Sequence, residues 1–247
     1  ARGLIHHRSG IVCLIVAEMQ APFQANVVET TTRKLQAIGK VVMVLNTAGQ
    51  PENVEAALRQ ALNYRAEATV VVSGAPPVSL IETCIENGQR VILINRDDAI
   101  TGPEFVLVEN ENAAREACLL LHRAGCRNLA VVSSTAGTSS IMAREQSFVA
   151  AAAELGLTAQ VSRAGPTGYA TGAEGARQLL GASNRPDGVF CVTDLLALGF
   201  MDVARQEFRL AIPDELCVVG FDDIPEASWL AYNLTTFRQP IGAIADH

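Results

Sequence analysis

The 247-residue sequence is poor in aromatic and charged residues, which make up 5% and 18% of the chain. No apolar run is long enough to cross a bilayer, although 49% of the residues are apolar. Acidic residues outnumber basic ones by 26 to 19, and the net charge of −7 argues against a broad basic surface that binds DNA. The first residues include Arg2 and Arg8 but no long apolar stretch, so they do not resemble an export signal. A cytoplasmic protein without a membrane partner is predicted.

Metal-ligand spacings and paired-cysteine motifs are also missing from the sequence. None of the six cysteines forms a CxxC pair, and most lie within apolar stretches, where a reduced thiol behaves as a small apolar group. We therefore predict core thiols, no bound metal and no cofactor. The cysteines are Cys13, Cys84, Cys118, Cys126, Cys191 and Cys217.

The common catalytic motifs of α/β enzymes are absent from the sequence. There is no GxSxG, HExxH or Walker loop, and no GxGxxG follows a predicted strand. The histidines lie near the termini (His6, His7 and His247) or on a predicted helix (His122), away from predicted strand ends. The chain is therefore predicted not to be an enzyme.

What the first half contains is an alternation of short apolar runs with amphipathic stretches, which is typical of parallel sheets covered by helices. The first helix carries apolar residues from Phe23 to Ile38 on one face, and Gly39 is expected to end it. Further helices begin at Pro51 and Val78. Strands are predicted at 11–16, 41–45, 69–72, 91–94 and 105–108.

The second half repeats this alternation. Helices are predicted at 112–124, 139–155, 171–180 and 194–207, and strands at 129–133, 159–161, 188–192, 216–220 and 234–238. The sequence thus predicts an α/β protein with two doubly wound parallel-sheet lobes. No Pro, Gly or Ser-rich spacer separates the two series near Asn110, which favours a hinge over a flexible linker.

Ligands of open α/β sheets bind at the carboxyl ends of the strands, so the residues that follow each strand are candidates. After the first strand, Phe23 offers either a stacking face to a ligand or a core side chain. After the fourth strand, Arg96 is either a fork for hydroxyls or a carboxylate, or an ion-pair partner of Asp97 or Asp98.

The second series has polar residues at corresponding places. Arg144 lies in the helix after the strand that ends near 133, and Thr193 follows the strand that ends near 192. Asp194 is expected to cap the next helix. Asp222 and Asp223 are either acceptors in a binding cleft or solvated loop residues. Each signal is weak alone, and their common position at strand ends makes a ligand site the better interpretation.

Three blocks in the last third resemble the LacI family of bacterial transcription regulators. They are Val-Phe-Cys-Val-Thr-Asp-Leu-Leu-Ala-Leu-Gly at 189–199, Ile-Pro-Asp-Glu-Leu-Cys-Val-Val-Gly-Phe-Asp-Asp-Ile-Pro at 212–225 and Leu-Thr-Thr-Phe-Arg-Gln-Pro at 234–240. Shorter matches extend the resemblance over nearly the whole chain, at Ala21-Pro22-Phe23, Asn95-Arg96, Glu109-Asn110 and Arg144 with Phe148.

This resemblance implies a type I periplasmic-binding-protein-like fold in which two lobes joined by a hinge hold an effector. Residues 10–110 would form the first lobe and 111–237 the second, with 238–247 starting a return to the first lobe. Residues 1–9 would be the end of a hinge helix and a linker to a helix-turn-helix domain, with Leu4 where the family wedges a leucine into the DNA minor groove. The effector-binding residues implied are Phe23, Arg96, Asn112, Arg144, Thr193, Asp222 and Gln239.

The implied function is that of a ligand-responsive regulator, a repressor, which we expect to act as a homodimer. Its partners would be a small sugar or sugar derivative and operator DNA, the latter bound through the helix-turn-helix domain. Ala21, Asn95 and Thr193 depart from the family's usual Asn, Asp and Asn, so some of the family's polar contacts would be lost or shortened.

Two other classes of protein remain as alternatives. A periplasmic sugar-binding protein of a transporter has the same fold, and the hinge-helix remnant and the scattered cysteines speak against it. An enzyme of doubly wound type would need a nucleophile and a base, which no motif supplies.

Overall fold

The computed structural model describes residues 9–72, 76–95 and 101–246, apart from the side chain of Pro51. The chain divides into two compact units. Unit 1 comprises Ala1–Leu107 and Pro240–His247, and unit 2 comprises Val108–Gln239. Each unit is built on one five-stranded parallel sheet with flanking helices, as the alternating sequence pattern predicts.

Unit 1 has the strand order β2-β1-β3-β4-β5, and every neighbouring pair is parallel. Its strands are β1 (Ile11–Val16), β2 (Val41–Asn46), β3 (Ala68–Val71), β4 (Arg90–Ile94) and β5 (Glu104–Val106). Its helices are α1 (Pro22–Ala37), α2 (Pro51–Asn63), α3 (Val78–Glu86) and α8 (Ile241–Ile244).

Unit 2 has the strand order β10-β9-β8-β6-β7, again with parallel neighbours throughout. Its strands are β6 (Leu129–Val132), β7 (Ala159–Ser162), β8 (Gly188–Cys191), β9 (Cys217–Asp222) and β10 (Thr235–Arg238). Its helices are α4 (Asn110–Arg123), α5 (Ser139–Glu154), α6 (Tyr169–Gly181), α7 (Asp194–Gln206) and a 3-10 helix at Pro225–Ser228.

The apolar pattern of the sequence explains the buried faces of the central strand β1 and of helix α1. In β1, five consecutive residues after Ile11 are buried because helices cover both faces of a central strand. Helix α1 buries Val27, Val28 and Thr31 against this sheet. Ile38, which the periodicity placed on the same face, is 70% exposed, because the helix ends at Ala37 and Ile38 lies in the turn before Gly39.

Within the described residues, all six cysteines are free thiols, and five of them are buried. None of the helices in these parts of the chain is both long and apolar enough to cross a membrane.

Helices α6 and α7 of unit 2 approach each other through two glycines. A Cβ atom on Gly172 would lie 2.0 Å from the carbonyl oxygen of Leu196, and one on Gly199 would lie 2.0 Å from that of Tyr169. Real Cβ atoms do not come so close to backbone, so only glycine permits this contact. The Gly at 199 in the Asp-x-x-Ala-x-Gly segment therefore has a packing function.

We predict that Gly172→Ala lowers the free energy of unfolding by about 2 kcal/mol or more, because backbone atoms of α7 must move to admit the methyl group. Gly181→Ala, at the end of the same helix, is the matched control, since its Cβ would meet nothing within 4 Å. Its free energy of unfolding should stay within about 0.5 kcal/mol of the original. Chemical denaturation measures both, and equal effects of the two changes would contradict the packing argument.

Candidate functional site

The polar residues predicted at the strand ends of unit 2 come together at one edge of its sheet. Strand β8 is followed by Val192 and Thr193, β9 ends at Asp222, and β10 is followed by Gln239. All of these strands are parallel, so their carboxyl ends share that edge. Helix α5 adds Arg144 from the turn that follows its start.

Arg144 is only 3% exposed, and three groups contact its guanidinium besides Asp222. Its Nε donates to Oδ1 of Asn110 at 2.8 Å, and its Nη1 donates to the carbonyl oxygen of Val192 at 2.8 Å. The guanidinium carbon lies 3.6 Å from the ring centroid of Phe221, a cation–π contact. Burial lowers the pKa of Arg144 to about 10, although Asp222 and Asp194 oppose this shift, so the side chain stays charged at neutral pH.

Asp222 faces Arg144 and is 7% exposed. Its Oδ1 lies 3.7 Å from Nη1 of Arg144 and accepts a 2.6 Å hydrogen bond from Nε2 of Gln239. Loss of solvation on burial raises the pKa of Asp222 to about 7. Arg144 pulls this pKa down, Asp194 pushes it up, and the hydrogen bond from Gln239 lowers it.

The start of α7 corrects one expectation. Thr193 is the capping residue, since its Oγ1 accepts from the backbone N–H of Leu196 at 3.4 Å. Asp194, predicted to be the cap, is the first residue of the helix, and its buried carboxylate accepts from Ile224 N and from Thr236 Oγ1. The side chain thus points toward β9 and β10. Thr193 has the extended backbone that a cap requires, which left Asp194 free for other contacts.

The other predicted residues lie elsewhere. Asn112 is exposed on the first turn of α4 and donates to the carboxylate of Glu109. Phe23 is half-buried in the first turn of α1, in unit 1. Arg96 and Leu4 lie outside the described residues.

The structure also adds Asn110, which was not among the predicted binding residues. It is the first residue of α4, and its side-chain oxygen accepts from Arg144. The match of Glu109-Asn110 to the family's Asp-Asn had singled out this position, but it did not show that Asn110 contacts Arg144.

This arrangement suits a polar, uncharged ligand better than a metal ion. When arginine N–H groups and a carboxylate are buried and fixed in direction, the N–H groups can donate to one hydroxyl group of a ligand and the carboxylate can accept from the adjacent one. Within the described ranges, no group of three or more His, Cys, Asp or Glu side chains could hold a metal.

The sequence of residues 119–247 matches a family described as the periplasmic binding protein-like domain. The chain belongs to this family. Its relatives further place this periplasmic binding protein-like domain among the LacI-family transcription regulators, and the expected fold class and family are both confirmed.

Three relatives illustrate the likeness of this domain to regulators. The transcriptional regulator GalS of Salmonella typhimurium is 28% identical over 99% of this chain and 72% of its own length. The repressor PurR of Erwinia tasmaniensis is 24% identical over 97% of this chain and 71% of its own. A LacI-family regulator of Lactobacillus casei, solved with bound sucrose, is 26% identical and superposes with a TM-score of 0.84 over 96% of this chain and 88% of its own.

The raised pKa of Asp222 predicts how stability depends on pH. The folded state keeps a proton on this carboxyl up to about pH 7, whereas an unfolded Asp loses it near pH 4, so rising pH favours unfolding. The stability of the natural chain relative to Asp222→Asn should fall by up to about 3 kcal/mol between pH 5 and pH 8, at about 1.4 kcal/mol per pKa unit. Denaturant titrations at several pH values measure this difference, and a natural chain that gains stability relative to Asp222→Asn as the pH rises would contradict it.

Proposed function

We propose that this domain binds a small sugar or sugar derivative at the carboxyl edge of the unit 2 sheet and thereby controls a transcription regulator's affinity for DNA. The observation that carries the proposal is the buried group of Arg144, Asp222 and Gln239, in which a cation and an acid lie 3.7 Å apart. Burying charged groups costs free energy, so a buried cation and acid at the carboxyl ends of the strands favour a binding site.

The chemistry of this group fits vicinal hydroxyls. Among the described residues, Arg144 uses its Nε and Nη1 for Asn110 and Val192, and neither bond involves its Nη2. Asp222 accepts from Nε2 of Gln239 through Oδ1 and also from the backbone N–H of Asp194. A sugar hydroxyl can therefore accept from Nη2 and donate to the carboxylate, while the fixed contacts hold both groups in place.

The comparisons support a sugar over other small molecules. The Lactobacillus casei regulator was solved with bound sucrose and also with bound glucose. The expected contributions of Phe23, Asn112 and Arg96 to the same ligand stay predictions.

The proposed regulation is a linkage between two equilibria. A ligand that binds one conformation of the domain better than another shifts the population, and DNA affinity changes by the same free energy. Operator DNA would be bound by a helix-turn-helix domain preceding this chain, with Leu4 near the DNA. The regulator would be a cytoplasmic protein without catalytic activity.

A homodimer is part of this proposal, and the surface of unit 2 offers an apolar patch for it. Leu230 is fully exposed and Trp229 more than half exposed in the segment between the 3-10 helix and β10. Exposed aromatic and aliphatic side chains next to each other are typical of interfaces.

Thermal unfolding in the presence of sugars, sugar acids, sugar phosphates and purines tests the ligand class. We expect a sugar to raise the melting temperature by about 5–10 °C at a concentration near 100 Kd, which corresponds to about 2.7 kcal/mol. Arg144→Lys keeps the charge but loses the planar fork and should abolish most of this shift.

Glu154→Gln is the matched control, because Glu154 forms an exposed ion pair with Arg115 on the outside of the same helix. It should leave the sugar-induced shift unchanged. A sugar whose stabilisation survives Arg144→Lys would place its binding site elsewhere. If only purines stabilised the domain, the sugar class would be wrong.

Sedimentation at micromolar concentrations tests the dimer. Leu230→Asp should raise the dimer dissociation constant about tenfold or more, because a charge would be buried at a packed apolar contact. Val161→Asp is the control, since Val161 is an exposed apolar residue on β7, at the opposite edge of the same sheet. A monomeric natural chain, or equal dissociation by both changes, would refute the assignment of this patch.

A further inference from the structure

One buried carboxylate joins the ends of three strands of unit 2. Asp194 is fully buried as the first residue of α7, directly after β8. Its Oδ1 accepts a 2.5 Å hydrogen bond from the hydroxyl of Thr236 in β10, and its Oδ2 accepts the backbone N–H of Ile224, just past β9, at 3.0 Å. One side chain thereby ties β8, β9 and β10 together where the candidate site lies.

The carboxylate also rests directly on the backbone of β9. A Cβ atom at Gly220 would lie 2.2 Å from Oδ1 of Asp194, so only glycine leaves room for it. Gly220 stands two residues before Asp222. The close approach therefore fixes the carboxylate against the strand that supplies the acid of the site.

The turn after β9 has a backbone conformation that needs such an anchor. Asp222 has φ of +136° and Asp223 has φ of +56°, both in a region that residues other than glycine rarely adopt. The next N–H, of Ile224, donates to Asp194, and the N–H of Asp223 lies 3.4 Å from the hydroxyl of Thr236, which itself donates to Asp194. The strained turn is held at both of these residues by contacts that begin at Asp194.

We infer that Asp194 is a positioning residue for the effector site: by holding the turn at 222–224, it keeps the carboxylate of Asp222 turned toward Arg144 and Gln239. This inference rests on the proposed function for the identity of the ligand, but the placement of Asp222 itself does not depend on a ligand.

Asp194 also affects Asp222 through its charge. The charged groups that face it are Arg144 from α5 and Asp194 from α7, and Gln239 contributes a neutral amide. Asp223 acts on Asp194 and is paired with Arg238. Cys191 of β8 lies near Asp194 and is neutral, because burial raises its pKa well above the usual range.

Two carboxylates therefore share one buried guanidinium. The charge of Asp194 repels that of Asp222 and raises its pKa, so Asp194 controls both the direction of the Asp222 side chain and its protonation. A residue with a purely structural function would affect folding but would not change the ligand affinity of the folded protein.

Asp194→Asn tests the inference, because the amide is nearly isosteric but has no charge and presents N–H groups to at least one of its two donors. Carbon-13 NMR of the aspartate carboxyl groups follows Asp222, whose signal is assigned by its loss in Asp222→Asn. The titration midpoint of Asp222 should fall where only the Asp194 charge is lost and rise where the contacts with Arg144 and Gln239 are lost as well. Affinity for the sugar found by thermal unfolding should fall about tenfold or more at pH 7.5.

Asp202→Asn is the matched control on the same helix. Asp202 also accepts two hydrogen bonds, from the hydroxyls of Tyr169 at 2.6 Å and Tyr232 at 2.9 Å, but it lies two turns further along α7. The same chemical change there should leave the Asp222 midpoint and the sugar affinity as they are in the natural chain.

Thr236→Val covers the case in which Asp194→Asn does not fold. It removes one bond to Asp194 and keeps both charges, so the amide hydrogen of Ile224 should exchange faster and the sugar affinity should fall. Unchanged exchange of the Ile224 amide and unchanged affinity in Thr236→Val, or an unchanged sugar affinity in folded Asp194→Asn, would overturn the inference. A natural chain that binds no sugar would refute the proposed function, while the exchange of the Ile224 amide in Thr236→Val would still decide whether Asp194 holds the turn.

Discussion

The burial of Arg144 beside two carboxylates is the constraint on which unit 2 is built. A guanidinium that is 3% exposed must have its charge compensated and its N–H groups directed, since an unpaired buried charge costs several kcal/mol. Asn110, Val192 and the ring of Phe221 fix its orientation, and Asp222 supplies the nearest negative charge. The elements α4, β8, β9 and α5 are thus tied to one side chain.

The sequence predicted the sheets well because their signals are local. A continuous apolar run gave β1 at 11–16 with the bounds that the structure shows, and the start of α3 at Val78 was also correct. Several other ends differ by one or two residues, as at β5, which begins at Glu104 and ends at Val106. Ile38 was placed on a buried face only because periodicity does not show where a helix ends.

The candidate site was predicted less completely because hydrogen-bond partners are not a local property. Arg144, Asp222 and Gln239 were predicted and do meet, but their positions came from the family resemblance and the strand-end rule, not from any measure of their mutual distance. Thr193 and Asp194 are both good capping residues, and only the backbone conformation decides which of them caps α7. Asn110 was missed because its partner is 34 residues away in the sequence.

The contact between α6 and α7 has a consequence for how unit 2 can respond to a bound molecule. At Gly172 and Gly199 the two helices meet backbone to backbone, so there is no rotamer that could absorb a displacement of one helix against the other. Thr193 and Asp194, at the start of α7, belong to the strand-end group described above. A displacement of α7 at that end would therefore be transmitted to α6 through this contact.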